Sequence, residues 1–464
     1  MRVVSFGHAA MLVETRNERI LVDPWLTDRL DRFWEHWPPL PKGIEAELYP
    51  PVDAIVFTHH HFDHHHFPSL SGLALCPEAD FDETLAERAT TRCFYPRGSA
   101  EPRFSVSGLG HQTIAWTLRR LGFTNVTGVN PGETLRIGET TMRTFPSRVP
   151  FPEMSLVFET SEGTAMLCGD SLLHPQTAEA FTQAGRPHID VAFIPAHSIS
   201  LPGVLTERRQ VTRPGEVQQR ARANFARYVT TINPDVVVPS SFGWRVAGEG
   251  SGDFLWANRT IFPFTPVEAL SFLGETGRAG RLCGPGERVL IERGAVEVEA
   301  GQHVAAPYDF ETTYAEVTLD PTVPVPAFDP ASDRWGEQRE SAESMVNRLL
   351  DAVVGTDYWY RAVESGDTHI IEISGDDGDS GFALDLTSQR APRVSTGQRD
   401  LDHGYTHIAG STLQVLLDAD LLFGSSYGLW VSTENLLSAA FHQPRYYVRH
   451  VEKVLPATPA SFTL

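Results

Sequence analysis

The chain has 464 residues, four cysteines and a formal net charge of −21, from 38 basic and 59 acidic side chains. Its length predicts two or three domains, and its composition is that of a globular protein with sizeable cores. Because an acidic surface repels phosphate backbones and anionic lipid heads, we expect neither a nucleic-acid nor a membrane partner. Dispersed cysteines without a C-x-x-C pair favour a reducing compartment, and the chain opens directly on a strand pattern, so we expect a cytoplasmic protein.

The first two thirds of the chain alternate strand and helix patterns. The run "RVVSFGHAAMLVET" predicts a strand, which the polar "RNE" joins to "RILVDPWL" in a hairpin. "VDAIVF" predicts a strand that is buried on both faces, and "TLAERATTRCF" and "HQTIAWTLRRLGF" predict helices. "TAMLCGD", "DVAFIPAH" and "DVVVPSSF" predict further strands, with the helix "VQQRARANFARYVTTI" before the last. This alternation predicts an α/β layered domain over residues 1–300.

The last third begins with a linker pattern. Pro and Asp cluster in "LDPTVPVPAFDPASD", so we place a connector at residues 301–333. The helix and strand patterns of residues 334–464 predict a smaller α+β domain. It starts with the amphipathic helix "RWGEQRESAESMVNRLLDAVV". It continues with the strands "THIIEI" and "GFALDLT" and ends with the helical runs "STLQVLLDADLLFGSSYGLW" and "ENLLSAAF".

The window "FTHHHFDHHH" follows the buried strand "VDAIVF" directly. It is internal and interrupted, unlike a purification tag, and a solvated patch is not expected straight after a buried strand. His59 and His61 lie two apart on an extended segment, so their imidazoles face one side and can share a metal. Asp63 and His64 follow where the chain turns and can face a second metal. The spacing therefore predicts a metal centre.

The pattern T-H-x-H-x-D-H over Thr58–His64 is the signature of the metallo-β-lactamase superfamily. The chain resembles its branch that includes ascorbate-6-phosphate lactonase and N-acyl-phosphatidylethanolamine phospholipase. This resemblance implies an αββα sandwich, with Asp23 supporting the site from a strand end. It also implies that Asp170 in "TAMLCGDS" is the metal-bridging carboxylate, a turn residue being the alternative, and that Asp63 and Asp170 are the catalytic residues.

Hydrolases of this superfamily need two further histidines that the sequence lacks. Arg148 or Phe151 stands where the first is expected, and Ser241 stands where the second would close "DVVVPSSFGW". Arginine stays protonated and neutral serine binds weakly, so neither is a good metal ligand. The sequence therefore predicts that each metal is one nitrogen ligand short.

Residues outside these motifs are further candidates for the site. His197 follows the strand "DVAFIPA", where open α/β sheets collect functional groups, and is the candidate replacement metal ligand. We expect His8 to be a hydrogen-bonded structural residue near the site. The candidate substrate-binding residues are Arg148, Ser241, Arg245 and Arg259. Surface salt bridges are the alternative role for the three arginines.

The remaining histidines are expected in less direct roles. His60 points away from its two neighbours, which suggests that it supports the site rather than binding metal. His65 and His66 are expected to be solvated, with a spare-ligand role as the alternative. His111 and His174 are expected to be loop residues.

The missing histidines are in line with a resemblance to one particular family. "VPFPEMSLVF", "DVAFIPAHSISLPG" and "GDFLWANRTIFPFTP" resemble the metallo-β-lactamase-like part of the CMP-N-acetylneuraminate hydroxylase family, which also lacks the closing histidine. That family carries a Rieske domain, whereas no cysteine here stands in a Cys-x-His or Cys-x-x-His pair, so we expect no Rieske cluster.

We therefore expect a non-haem oxygenase or hydroxylase that uses one or two iron ions on a small polar metabolite. Zinc and manganese are the other candidate metals, and the electrons would come from a separate electron-transfer protein or from the substrate. The alternatives are a binuclear metallohydrolase of the phosphodiester or lactone/ester class, and a one-metal relative that works with a separate reductase.

Overall fold

A computed structural model describes residues 1–28, 34–61, 63–66, 69–70, 81–100, 114–149, 152–196, 214–246, 264–304, 308–315, 338–353, 368–375, 378–385, 393–396, 404–410, 413–414 and 417. Most of the two helical runs predicted after residue 410 lies outside these residues. No helix among the described residues has the length and apolar character that crossing a bilayer requires.

The described strands are β1 (Arg2–Ser5), β2 (Met11–Glu14), β3 (Arg19–Val22), β4 (Trp34–His36), β5 (Ala54–Val56), β6 (Arg92–Pro96), β7 (Asn125–Val129), β8 (Thr134–Ile137), β9 (Thr140–Pro146), β10 (Met154–Glu159), β11 (Thr164–Leu167), β12 (Val191–Pro195), β13 (Val236–Ser240), β14 (Trp244–Val246), β15 (Glu287–Glu292), β16 (Ala295–Ala300), β17 (Thr368–Gly375), β18 (Gly378–Asp385), β19 (Arg393–Thr396) and β20 (Gly404–Ala409). The described α-helices are α1 (Phe81–Thr90), α2 (Ile114–Arg120), α3 (Pro175–Thr182), α4 (Pro214–Ile232), α5 (Pro266–Glu275), α6 (Phe310–Ala315) and α7 (Ala342–Val353). Short 3-10 helices span Ile44–Leu48 and Arg97–Ala100.

Two sheets form the centre of the first domain. One has the order β16-β15-β1-β2-β3-β5-β6-β7 and the other has the order β13-β12-β11-β10-β9-β8. Successive side chains of a strand point to opposite faces, so Ile20 and Val22 of β3 enter the core between the sheets while Leu21 packs on the outside. In the second sheet, Phe193 of β12 points into the same central core and Ala192 points outward.

Helices cover both outer faces of this pair of sheets. Leu118 of α2 packs in the same cluster as Leu21, and Phe225 and Val229 of α4 pack in the same cluster as Ala192. Burying each such leucine, valine or phenylalanine side chain contributes about 1.5–3 kcal/mol. The layers therefore form an αββα sandwich, which confirms the predicted fold class.

The opening run is two strands rather than the single strand that its apolar residues predict. The chain turns between β1 and β2, where Gly7 and His8 adopt the left-handed region at φ of 84° and 46°. The Phe6 amide donates to the carbonyl of Ala10 at 2.9 Å, which closes the turn. Glycine tolerates this backbone conformation, and a pattern of apolar residues does not reveal it.

The prediction that "TLAERATTRCF" is helical throughout is also wrong, because the helix ends earlier. Helix α1 ends at Thr90, and Arg92–Pro96 forms β6 instead. Cys93 of this strand pairs with Ile55 on one side and Val126 on the other, and it is fully buried. Tertiary packing between two neighbouring strands thus overrides the local helical pattern.

Residues beyond 300 begin with a helix that continues the first domain. Phe310 and Tyr314 of α6 belong to the core cluster on the outer face of the second sheet, although they fall within the predicted connector. Farther along, the described residues form α7 and the four-stranded sheet β19-β18-β17-β20.

Candidate metal centre

The predicted ligands that the structure describes lie at one edge of the sandwich, and His197 is outside the described residues. Strands β1, β3 and β5 run parallel to one another, so His8, Asp23 and His59 all follow the C-terminal ends of strands at the same edge. In the second sheet, β11 runs parallel to β12 and ends shortly before Asp170. Functional groups of α/β sheets collect beyond the carboxyl ends of strands, so this edge is where a site is expected.

Asp23 organises the histidine window from the end of β3. Its carboxylate is fully buried and accepts hydrogen bonds from the Thr58 amide at 2.7 Å and the Thr58 hydroxyl at 2.6 Å. Asp23 Oδ2 also lies 2.8 Å from His64 Nδ1. A carboxylate accepts only, so His64 Nδ1 carries a proton, and Nε2 is the nitrogen that a metal can bind once it displaces the proton there.

Four side chains with metal-binding atoms meet at this edge: His8, Asp63, His64 and Asp170. His8 Nε2 lies 3.2 Å from Asp63 Oδ2, and His64 Nε2 lies 3.4 Å from Asp170 Oδ2. One ligand atom from each of the four residues lies within 4.8 Å of every other. Two imidazoles and two carboxylates are a donor set that suits zinc, iron or manganese. The residues present therefore fit a metal ion, and they include His8, which the sequence predicts to be structural.

The ionisable side chains of this group shift one another's pKa values. Burial lowers the pKa of His64, but Asp170, Asp23 and Asp63 outweigh it, so the pKa of His64 is raised well above its usual value. Burial raises the pKa of Asp63, but His64 and His8 outweigh it and lower that pKa to about 2. A metal cation bound to His64 Nε2 would displace a proton that these carboxylates otherwise hold there.

His59 and His61 stand next to the group. Their ring centroids are 4.4 Å apart, and the His59 ring is 4.1 Å from that of His64. His59 Nδ1 lies 3.0 Å from the Thr58 hydroxyl. Burial and the neighbouring His64 and His61 hold the pKa of His59 well below its usual value, so its imidazole is neutral. His60 is only partly buried, and its ring lies 5.0 Å from that of His61.

Glu153 is a site residue that sequence reasoning missed. It directly precedes β10, its side chain is 2 % exposed, and its Oε1 lies 3.3 Å from His59 Nδ1. Neither oxygen accepts a hydrogen bond from a described residue. Burial raises the pKa of Glu153 to about 8; Asp170 adds to this, and the nearby Ser147 hydroxyl opposes it. The available signal was an acidic residue at the head of the apolar run "MSLVF", in the stretch where a histidine is absent.

Ser241, a predicted substrate contact, makes buried hydrogen bonds that the sequence does not predict. Its side chain is fully buried, its hydroxyl donates to the Gly169 carbonyl at 2.6 Å, and its amide donates to the His8 carbonyl at 3.0 Å. These bonds tie the His8 turn to the turn before Asp170. The position where a histidine is absent therefore anchors the backbone of His8, whose imidazole enters the site.

In the part of the chain that the structure describes, the other predicted substrate contacts do not lie together with the metal-centre residues. Arg148 is exposed. Arg245 pairs with Glu35 at 2.7 Å and lies over the Trp37 ring, 3.5 Å from its centroid, so the salt bridge named as its alternative role is present. Three of the candidates lie outside the described residues: Phe151, His197 and Arg259.

His65 and His66 are buried, which corrects the expectation that they are solvated. His65 packs its ring edge-on against Phe57, and burial lowers its pKa to about 3. His66 Nδ1 lies 2.8 Å from the Ser69 hydroxyl. Their burial depends on packing beneath the loop, which local sequence does not show. His174 caps α3 by accepting from a backbone amide at 3.1 Å, and His111 lies outside the described residues.

A second acidic and histidine group lies at the opposite edge of the second sheet. His188 Nε2 lies 3.3 Å from Asp190 and 3.1 Å from Asp235. His188 and Asp235 are exposed, and Asp190 already accepts the Thr164 amide at 2.7 Å. This group is explained as a surface ion pair.

Comparison with known proteins places these features in a family. The family model described as "Beta-lactamase superfamily domain" matches residues 2–241, about half of the chain. A UPF0173 metal-dependent hydrolase of Aeropyrum pernix is 41% identical over 63 residues, which are 14% of this chain and 22% of that protein. A UPF0173 protein of Pyrococcus furiosus is 24% identical over 245 residues, which are 52% of this chain and 84% of that protein.

Solved structures show more distant likeness. CmlA, a diiron β-hydroxylase from Streptomyces venezuelae, shares 20% identity over 62% of this chain and 53% of its own, with a TM-score of 0.39. Igni18, a metallo hydrolase from Ignicoccus hospitalis, shares 19% identity over 62% of this chain and 97% of its own, with a TM-score of 0.38. Neither likeness bears on the reaction. The resemblance to CMP-N-acetylneuraminate hydroxylases finds no support in these matches.

Proposed function

We propose that this chain, which belongs to the β-lactamase superfamily, is a metal-dependent hydrolase with a two-metal centre. The observation that carries the proposal is the convergence of His8, Asp63, His64 and Asp170. With His8 in this group, the half of the centre next to Ser241 is not short of a nitrogen donor. The predicted shortage of nitrogen ligands was the sequence-based reason to prefer an oxygenase. Because His8 removes that shortage beside Ser241, we now prefer a hydrolase.

The proposed ligands are His8, Asp63 and His64 for one metal, and His59 and His61 for the other. Asp170 would lie between the two metals, because it is 3.4 Å from His64 Nε2 and its charge also acts on His59. Two bound metals supply a water-derived nucleophile at neutral pH and polarise a phosphoryl or acyl oxygen. The proposed substrates are small phosphodiesters, lactones or esters.

The surrounding residues would hold this centre and handle its protons. Asp63 is ionised near neutral pH, since His64 and His8 lower its pKa to about 2 against burial, and its carboxylate would serve as a metal ligand. Asp23 keeps the proton of His64 on Nδ1 and so directs Nε2 into the site.

The proposal is tested with metal-depleted protein reloaded with zinc, manganese or iron and assayed without oxygen on a nitrophenyl phosphodiester, a nitrophenyl ester and a lactone. We expect metal-dependent hydrolysis of at least one substrate, which Asp63→Asn abolishes. Asp53→Asn is the control, because Asp53 accepts the Arg19 amide at 2.8 Å near the start of β5, at the opposite edge of the sheet. Turnover that requires iron, oxygen and a reductant together would reject hydrolysis.

An iron oxygenase is the second candidate, and the position of Glu153 favours it. With Asp63 and Asp170, Glu153 makes the site rich in carboxylates. Carboxylate ligands suit iron or manganese, whereas zinc is typically bound by nitrogen and sulfur donors. Such an enzyme would take electrons from a separate electron-transfer protein or from its substrate. Repeating the same assay with oxygen and a reductant distinguishes it.

A further inference from the structure

A groove of about 430 Å³ lies between helix α5, strands β15 and β16, and the start of helix α6. Its apolar wall includes Leu270 of α5, Val298 of β16 and Phe310 of α6. None of the four side chains that meet at the metal centre lines it. Small-molecule sites in proteins have volumes of this order and combine an apolar wall with a few polar groups.

The polar side of the groove is acidic. Four carboxylates line it: Glu287, Glu299, Asp309 and Glu311. Among the described lining residues there is one cation, Arg281, which is exposed and donates to the Gly280 carbonyl at 2.8 Å. Within the part of the chain that the structure describes, none of the four carboxylates has a salt-bridge partner. Charge complementarity therefore favours a cationic occupant over an anionic one.

Glu287 places one of these carboxylates at the buried side of the groove. Its side chain is buried, its Oε2 accepts the Gly284 amide at 2.6 Å, and its Oε1 accepts the Tyr308 amide at 3.1 Å. These two amides hold the carboxyl group in place, although burial still raises its pKa. A cation in the groove would favour the ionised form of Glu287.

Two aromatic rings stand beside the carboxylates. Tyr308 and Phe310 both line the groove, and their ring centroids are 6.1 Å apart. Aromatic faces attract alkylated ammonium groups, which lose little hydration on binding. A bare metal ion would need converging oxygen ligands, and among the described residues these carboxylates do not bring three ligand atoms within 4.8 Å of one another. An organic cation fits this lining better than a metal ion does.

We propose that this groove binds a small alkylated ammonium ion, with its charged head between Glu287 and Tyr308 and its apolar part against Leu270 and Val298. The proposed site is separate from the metal centre. It depends neither on which metal binds there nor on whether that centre hydrolyses or oxidises its substrate.

The test compares choline with dimethylbutanol, in which a neutral carbon replaces the ammonium nitrogen. Both compounds carry the same hydroxyl, so a contact with the metal centre would not distinguish them. Binding to the full chain is measured by ligand-observed nuclear magnetic resonance titration at fixed ionic strength. Glu287→Gln and Glu299→Gln each remove one charge from the groove.

Two matched controls accompany these variants. Glu297→Gln removes the same charge from the same exposed face of β16, two residues from Glu299, at a position that does not line the groove. Tyr308→Leu removes an aromatic face, and Tyr308→Phe retains it.

We expect choline to bind at least about tenfold more tightly than dimethylbutanol, since only the cation gains from the rings and carboxylates. Glu287→Gln should weaken choline binding at least about tenfold, and Glu299→Gln, on the exposed rim, about two- to fivefold. Tyr308→Leu should weaken it while Tyr308→Phe does not, and Glu297→Gln should bind as the parent protein does.

Three results would overturn the proposal. One is equal binding of choline and dimethylbutanol, or no binding of choline. Another is an equal effect of Glu297→Gln and Glu299→Gln, which would mean that choline responds to the general acidity of the surface. The third is unchanged choline affinity in a folded Glu287→Gln. If Glu287→Gln does not fold, the Glu299/Glu297 comparison and the two Tyr308 variants decide.

Discussion

Asp23→Asn is the change that isolates the role of the buried carboxylate behind the metal centre. Asp23 accepts from the amide and hydroxyl of Thr58 and from Nδ1 of His64. Asp23→Ala would leave three buried donors unsatisfied at about 1–3 kcal/mol each, which is a large share of a typical unfolding free energy. Asparagine retains one oxygen and nearly the same volume, so it perturbs the site with less damage to the fold.

The expected effect on metal binding exceeds the effect on stability. The new amide group would face His64 Nδ1 as a donor, so the imidazole would move its proton to Nε2 and lose the lone pair that binds metal. Loss of such an orienting carboxylate weakens metal binding about 10–100-fold, or about 1.4–2.7 kcal/mol. Loss of charge-assisted hydrogen bonds should lower the free energy of unfolding by about 1–3 kcal/mol.

Calorimetric metal titration and urea denaturation of Asp23→Asn measure the two effects separately. Asp53→Asn serves as the control, because it also alters a carboxylate that accepts a backbone amide, but away from the site. If Asp23→Asn bound metal as tightly as the parent protein, the inferred tautomer of His64 would be wrong.

Three further changes test other parts of the site. His61→Ala and Asp63→Ala should each strip metal, measured by elemental analysis, while circular dichroism stays unchanged because both residues lie on a loop; full occupancy in both would refute the ligand assignment. Metal affinity should fall as pH falls, since the raised pKa of His64 means that binding must displace a proton, and a pH-independent affinity would contradict this. Ser241→Ala leaves the Gly169 carbonyl without its buried donor and should lower the free energy of unfolding by about 1–3 kcal/mol; no change in urea denaturation would show that this bond is not needed.

The local part of the site could be predicted from the sequence. His59, His61, Asp63 and His64 lie in one short segment after a buried strand, so their spacing alone indicates that they meet. The family resemblance adds Asp170 and Asp23, and both follow strands whose carboxyl ends lie at the same edge. The alternating strand and helix patterns predicted a layered α/β domain, and the resemblance to the metallo-β-lactamase superfamily implied its αββα order.

The rest depends on contacts that no local pattern contains. His8 enters the site through a left-handed turn inside what looks like one continuous strand. Glu153 meets His59 only when the two sheets pack together, and the family pattern has a histidine rather than a glutamate in that stretch. The burial of His65 likewise comes from packing against Phe57 beneath the loop.

Anomalous diffraction from crystals of the manganese- or zinc-loaded protein tests the proposed two-metal centre most directly. We expect two anomalous peaks at this edge of the sandwich, one coordinated by His8, Asp63 and His64 and the other by His59 and His61, with Asp170 contacting both. A single peak, or a metal bound there without His8, would contradict it.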